Sequence, residues 1–465
     1  MADRRAARRP ASRPRVDPAR QAALEVLTAV RVEDAYANLV LPAVLRSRGL
    51  VGRDAGLVTE LVAGTLRGRG TYDAVLAACI DRPLRKVQVK VLDVLRLGAH
   101  QLLAMRVPTH AAISTSVDLA KAAAGQGAGG FVNAVLRKVA ADDLAGWTGR
   151  LAAAAPDDDA RLALAHSHPA WVVAELRRAV GDDELPALLA ADNAPPRVTL
   201  VARPGRATPD ELPGTPTRWS PHGVTLDGGD PTSVPAVAEG RAGVQDEGSQ
   251  LVALLAAAVP VVGDDAVWVD LCAGPGGKSA LLAALAAGRD ARLLAVERQP
   301  HRARLVARNL GLRPGAPLPD GVAGVVTADG TRPPLRPGSV DRVLVDAPCT
   351  GLGALRRRPE ARWRRRPEDV TELVPLQRAL LASALDLARP GGVVLYATCS
   401  PVLAETAEVV SAVLDARPDA ALVDLRPTAA AFGLDDAVGA LPGSVQLWPH
   451  RHGTDAMFVA ALHRS

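Results

Sequence analysis

Between about residues 20 and 145 the apolar positions recur at three- and four-residue intervals, as in Ala23, Val26, Leu27 and Val30, and again in Val89, Leu92, Val94 and Leu95. This spacing lines one face of a helix and predicts an all-α domain over 20–145. Gly49, Gly52, Pro83, Pro108 and the glycines of 125–130 fall between the periodic runs, where they separate helices. The rhythm weakens over 146–240. Helical runs at 171–180 and 185–191 give way to β-like runs such as 197–201 among many prolines and glycines, as expected of a small α+β connecting domain. Over 241–465 it changes again: VWVDL (267–271), LLAVE (293–297), GVVTAD (324–329), VDRVLVDAP (340–348), GGVVLYATCS (391–400) and MFVAAL (457–462) alternate with helical stretches. Strands and helices alternating in this way predict an α/β domain with a doubly wound parallel sheet.

Composition narrows the function classes. Of 465 residues, 48% are hydrophobic, enough for several globular cores. The longest apolar stretch, near 251–262, is broken by Pro260 and followed by Asp264 and Asp265, too short to span a bilayer. No apolar segment of a secretory signal follows the N-terminal arginines, so a cytoplasmic location is expected. The four cysteines include no CxxC pair, which argues against a disulfide framework or a zinc site, and no metal is expected. The net charge of +5 is a weak pointer to an anionic partner. Residues 1–19, with Arg4, Arg5, Arg8, Arg9, Arg13 and Arg15, read as a basic disordered tail that either touches phosphates or only solubilises the chain.

The run 267–271 leads into CAGPGGKSALLAAL, a glycine-rich turn opening a helix. Such a turn lets a ligand approach the backbone N–H groups of the helix start. Three sites compete. A nicotinamide site wants GxGxxG, whereas the glycines here fall as GPGG. A phosphate-binding loop, GxxxxGK[ST], fits Gly277, Lys278 and Ser279 but would need glycine at Cys272. An S-adenosyl-L-methionine site predicts an acid after the second strand for the ribose hydroxyls, met by Glu297, and a polar residue after the third strand, met by Asp329. Loops at the carboxyl ends of neighbouring strands share one crevice, which would gather Gly274, Glu297, Asp329 and Asp346.

Two cysteines end strands on that side: Cys349 in DAPCTG and Cys399 in YATCSP. A lone cysteine is usually a small core hydrophobe. A pair so placed has a chemical use, because carbon 5 of cytosine is too weakly nucleophilic to take a methyl from a sulfonium. A thiolate adding to carbon 6 makes the ring enamine-like and activates carbon 5. Asp346 would hold the N3–N4 edge of the base, and the second thiol would assist release as acid or base.

The motifs GVQDEGSQL (243–251), DLCAGPGGKS (270–279), AVERQPHRARLVARNL (295–310), ADGTRPP (328–334), DAPCTGLGALRRRPEARW (346–363), ATCSP (397–401) and WPHRHGTDAMFVA (448–460) together resemble the bacterial 16S rRNA cytosine-C5 methyltransferases of the RsmB (Sun/Fmu) type. The resemblance implies a Rossmann-like methyltransferase domain over 241–465, with S-adenosyl-L-methionine as methyl donor. It implies cofactor contacts at Cys272, Ala273, Gly274, Pro275, Gly276, Gly277 and Lys278, and at Glu297, Asp329 and Asp346. Cys399 would attack carbon 6 and Cys349 would promote release. Related DNA enzymes attack with the cysteine of their PC segment, so possession of both points to RNA and not DNA. RQAALEVLTAV (20–30), LVAGTLRGRGTYDAVL (61–76) and FVNAVLRKVA (131–140) resemble the NusB RNA-binding domain. That fusion implies 16S rRNA as partner, cytosine 967 as target, and a monomer with no membrane association.

Residues 355–366 hold seven arginines around Trp363, a basic segment expected at the crevice mouth, where it would grip phosphates or stack on a splayed base. A solvated helix start is the blander account. His166 and His168 have no partners at ligand spacing and are read as structural. Two other functions stay open at this level: a nucleotide hydrolase using the near-match phosphate loop, and a non-catalytic RNA-binding protein with a degenerate domain. A relative acting on tRNA or another rRNA position is a further alternative.

Overall fold

The computed structural model describes residues 16–465, so the arginines of the tail up to Arg15 lie outside the described residues. The chain divides into two compact units between Pro169 and Ala170. The finer division, with boundaries after 145 and 240, is kept as a proposal: helices Leu144–Ala152 and Asp158–His166 pack within the first unit, and the strands of 199–244 within the second.

The first unit is all helical. Asp17 caps helix Pro18–Val32 by accepting from the Arg20 N–H, with proline at the first helical position where its missing donor costs nothing. Helix Val89–Leu103 runs through the middle and is buried at every position from Val91 to Gln101. Gly98 admits this close packing, since a Cβ there would lie 2.6 Å from Leu136. His168 is buried and its Nδ1 bonds the His166 carbonyl at 2.8 Å, a structural role.

The second unit begins with helices Ala170–Val180 and Leu185–Ala191. A small antiparallel sheet follows, made of β1 (Thr199–Ala202), β2 (Thr215–Pro216), β3 (Gly223–Thr225) and β4 (Ala242–Val244) in the order β2-β3-β1-β4. The main sheet contains β5 (Val267–Asp270), β6 (Arg292–Glu297), β7 (Val322–Thr327), β8 (Val340–Asp346), β9 (Ala388–Thr398), β10 (Ala420–Val423), β11 (Val445–Gln446) and β12 (Phe458–Arg464). Its order is β10-β12-β9-β8-β5-β6-β7, with β11 paired to β12.

Strands β5 to β9 are mutually parallel. The last strand departs from the all-parallel expectation: β12 runs antiparallel to β9, β10 and β11. It follows β11 through a short connection closed by the Leu447 N–H on the Met457 carbonyl, whereas a parallel return needs a crossover of a dozen residues or more. The central strands are covered on both faces, as their continuous apolar runs require. Leu344, Val393 and Leu395 face helices Glu247–Ala258 and Gly277–Ala287. Val343, Val345, Val394 and Tyr396 face helices Pro367–Leu387 and Ala407–Ala416. This double cover fixes the strand ends, and the carboxyl ends of β5, β6, β8 and β9 open on one side.

Candidate active site

Each functional group sits just past a strand. After β5 the turn carries Cys272 to Lys278 into helix Gly277–Ala287. Gly276 has φ +110°, and a Cβ there would lie 2.9 Å from the Val306 backbone, so only glycine fits. Gly274 is bare for another reason: a Cβ would collide with Glu297 Oε2 at 2.1 Å. Glu297, at the end of β6, instead accepts from the Gly274 N–H at 2.9 Å and the Gln299 N–H at 2.8 Å. The Ala273 N–H donates to the Val296 carbonyl, and the Pro275 carbonyl accepts from Asn309. Asp329, after β7, accepts from the backbone N–H and hydroxyl of Thr331, which hold its carboxyl below the usual range.

Nearer the middle of the sheet, Lys278 Nζ donates to Asp346 Oδ2 at 2.9 Å. Burial alone would push Lys278 down, but Asp346, Cys399 and Asp270 together hold it above its ordinary value. Asp270, at the end of β5, accepts from Ser279 Oγ at 2.6 Å and is pushed up to about 7, chiefly by burial. Burial, with Asp270, Asp346 and Glu297 close by, keeps the Cys272 thiol well above its ordinary value, so it is no nucleophile at neutral pH.

Cys349 and Cys399 follow β8 and β9, which pair in register with Asp346 opposite Ala397. Their sulfurs are 3.5 Å apart. The hydrogen bond between them raises Cys349 well above the ordinary thiol value, helped by burial and by Glu405 and Asp346. The same bond lowers Cys399, with Lys278 and Arg358 acting in its favour against burial and Asp346. The two thiols are therefore unlike: the bond they share raises Cys349 and lowers Cys399.

The structure joins Gly274 to Glu297, Lys278 to Asp346 and Cys349 to Cys399 at the strand ends, and adds Glu405. Its carboxylate is fully buried and ties the Cys349 and Cys399 loops together. An isolated acid in VLAETAEVV reads as an ordinary helix start and is missed from the sequence; the one signal that could have found it is the hydroxyl that follows each cysteine, Thr350 and Ser400.

The basic segment needs correction. Arg362 is fully buried and bonds Asn193 Oδ1 and the Asp192 carbonyl. Arg357 pairs with buried Asp455, Arg356 lies 3.8 Å from Asp246 and Asp455, and Arg365 donates to the Thr350 carbonyl. Much of this charge thus pins the loop after Cys349 from within. Arg358 and Arg366 are exposed.

The family model "16S rRNA methyltransferase RsmB/F" matches residues 258–463, and that of the NusB family matches 17–141. A probable ribosomal RNA small subunit methyltransferase B of Bacillus subtilis is 31% identical over 96% of this chain and 98% of its own. The chain belongs to the RsmB/F rRNA methyltransferase family. Within this family, a putative methyltransferase of Mycobacterium tuberculosis is 52% identical over 98% of both chains. The crystal structure of PH0851 shares the fold, with a TM-score of 0.76 at 21% identity over 97% of this chain and 100% of that one. An RsmB/F enzyme acts on RNA. Among the described residues no helix is long and apolar enough to cross a membrane.

Proposed function

We propose that this protein transfers a methyl group from S-adenosyl-L-methionine to carbon 5 of a cytosine in 16S rRNA, by way of a covalent bond between Cys399 and carbon 6. Cytosine 967 is the target that the family resemblance implies. The observation that carries the reading is the pair of unlike thiols 3.5 Å apart at the ends of adjacent parallel strands.

The residues of the turn suit the methyl donor. Asp270, Glu297, Asp329 and Asp346 line the strand ends, with Lys278 on Asp346, Arg302 beside Glu297, and Arg298 and Arg332 near Asp329. Acids at the ends of successive strands are placed for the hydroxyls and ammonium of a nucleoside-type methyl donor. Lys278, which a phosphate-binding loop would aim at its ligand, is committed to Asp346. Glu297 keeps lone pairs for ribose hydroxyls, since each oxygen accepts a single backbone N–H at close range. When bound, S-adenosyl-L-methionine supplies an electrophilic methyl on a sulfonium.

The Cys399 thiolate adds to carbon 6, forming an S–C bond and sending the C5=C6 electron pair toward the N3–N4 edge. Asp346, held by Lys278, accepts a hydrogen bond from that edge and orients the ring. Carbon 5 then takes the methyl. Bonding Cys399 to carbon removes the charge and the hydrogen bond that kept Cys349 protonated, so Cys349 loses its proton to solvent. As a thiolate it takes the carbon 5 proton, the C5=C6 bond re-forms and Cys399 leaves as thiolate. The net change replaces C–H by C–CH3 and releases one proton.

The test is a pair of variants. Cys399→Ser should abolish transfer, a loss on the order of 10⁴-fold or more for a covalent nucleophile. Cys349→Ser should accumulate an RNA–protein adduct visible on a denaturing gel. Full turnover by Cys399→Ser would overturn the assignment. Bisulfite sequencing of rRNA from a deletion strain locates the modified cytosine.

A further inference from the structure

Glu405 is one of the most thoroughly hydrogen-bonded carboxylates in the molecule, and the reaction as written does not use it. It lies in the short turn Leu403–Glu405 after β9, with no exposed surface. Oε1 accepts from the Thr350 backbone N–H at 2.8 Å and from Gln377 Nε2 at 3.0 Å. Oε2 accepts from Thr350 Oγ1 at 2.5 Å and from Ser400 Oγ at 2.6 Å. Thr350 and Ser400 directly follow Cys349 and Cys399, and their hydroxyls also approach each other at 3.1 Å. Gln377 spans the remaining gap, donating to the Pro348 carbonyl at 2.9 Å. Tyr396 on β9 donates to the Glu405 carbonyl at 2.8 Å and fixes the turn from below. One side chain thus joins the residues that follow both thiols.

No Lys or Arg pairs with Glu405 among the described residues. A buried carboxylate balanced only by hydroxyl and amide donors is costly to keep, and a neutral glutamine would join the same loops more cheaply. The use of an acid therefore points past simple fastening, to its charge.

We infer that Glu405 is a positioning residue for the thiol pair: by holding the residues that follow Cys349 and Cys399 it sets their spacing and fixes a buried carboxylate beside them. The charged groups facing the pair act unequally on the two thiols. Lys278, from the helix after the glycine turn, and Arg358, from the basic segment, favour a thiolate at Cys399. Glu405, from the turn after β9, disfavours one at Cys349, whereas Asp346, from the end of β8, disfavours one at either thiol. A more basic Cys349 holds its proton while Cys399 attacks, then becomes a stronger base for the carbon 5 proton once Cys399 is bonded.

The inference rests on the proposed reaction, but its first test does not. Alkylation of Cys349 by iodoacetamide, followed by peptide mass against pH in the full chain without RNA, reads the thiol directly. It is best done in a Cys399→Ser background, where Cys349 titrates alone. Glu405→Gln should move the Cys349 midpoint down by about one pH unit, as expected for removal of one nearby charge. With Cys399 intact, Glu405→Gln should lower kcat on the order of 10²-fold, the scale of a misplacement near 1 Å, with the KM for cofactor and RNA within about twofold. Adduct should persist on a denaturing gel, as in a partial Cys349→Ser. Glu405→Asp, which keeps the charge and shortens the reach, should restore the midpoint more than the turnover.

An unchanged midpoint in Glu405→Gln overturns the inference, as does a loss of turnover that tracks only a loss of cofactor binding. Should Glu405→Gln fail to fold, Thr350→Val removes one arm and keeps the carboxylate. It should slow adduct release several-fold, and unchanged release would count against the clamp. A failure of the Cys399→Ser test would overturn the reaction while leaving the thiol titration standing.

Discussion

The helical unit and the crevice of the second unit both bury charge, and they balance it in opposite ways. Among the helices, acid meets base. Asp93 receives Arg31 at 2.8 Å and Arg96 at 3.4 Å, and Arg96 takes both oxygens of Asp73 at 2.7 Å. At the strand ends the acids are held mostly by neutral donors. Asp270 and Glu405 are held by hydroxyls and amides, Glu297 mainly by backbone N–H groups, and Lys278 answers only Asp346. A neutralised network has nothing left to offer a ligand, so it is read as structure. A cluster whose acids are held by neutral donors beside an unequal thiol pair is read as a candidate site.

The comparison breaks most sharply at Lys278. If it tunes chemistry, Lys278→Ala should lower methyl transfer on the order of 10³-fold, because Asp346 and Cys399 lose their shared cation. Removing one partner of a buried pair should also cost about 3 kcal/mol of stability. Single-turnover rates at a temperature where both proteins are folded separate the two effects. Turnover within tenfold of the wild type would make Lys278 a structural partner like the arginines of the helical unit.

Arg96 provides the counterpart. Arg96→Met takes from Asp73 its two-pronged partner and leaves Asp93 with Arg31 alone, and should cost roughly 2 kcal/mol, below the range for a fully buried pair because Asp73 is partly exposed. Thermal unfolding should show the loss, while S-adenosyl-L-methionine affinity measured by calorimetry on folded protein should be unchanged. A large fall in affinity would end the distinction between a structural and a functional network.

How much of this was legible in the sequence follows from how each feature is encoded. The glycine turn, Glu297, Asp346 and both cysteines lie in contiguous strings at strand ends, and strand topology carries them to one edge. Glu405 lies outside those strings: its partners come from 350, 377 and 400, and each residue alone looks like ordinary polar filler. The arginines of 355–366 misled because a charge run reads as solvated. Arg362 finds its partners at 192 and 193, some 170 positions away. Helix Val89–Leu103 shows the same limit in the apolar direction, since spacing predicts one buried face and the fold buries nearly all of it.

The smallest expected effect tests one of those buried acids directly. Asp270 is pushed up to about 7 by burial, against the Ser279 hydroxyl bond and with Asp346 adding to the rise. When protonated it can donate to Ser279 Oγ, which lies 3.5 Å from the Ala273 carbonyl and can pass a hydrogen bond on to it. The sign follows from linkage. Between the unfolded value near 4 and the folded value near 7, the native state binds more protons than the unfolded one, so this group's contribution lowers stability as pH rises through that window. Asp270→Asn cannot ionise in either state. The difference in unfolding free energy between variant and wild type should therefore grow in the variant's favour by about 1–2 kcal/mol from pH 4 to pH 7, less than full linkage because effective dielectrics at such sites exceed that of dry protein. Below pH 4 the two curves should run parallel. Parallel curves across the whole range would mean that Asp270 ionises normally and carries its charge through that window, so that burial does not keep it protonated.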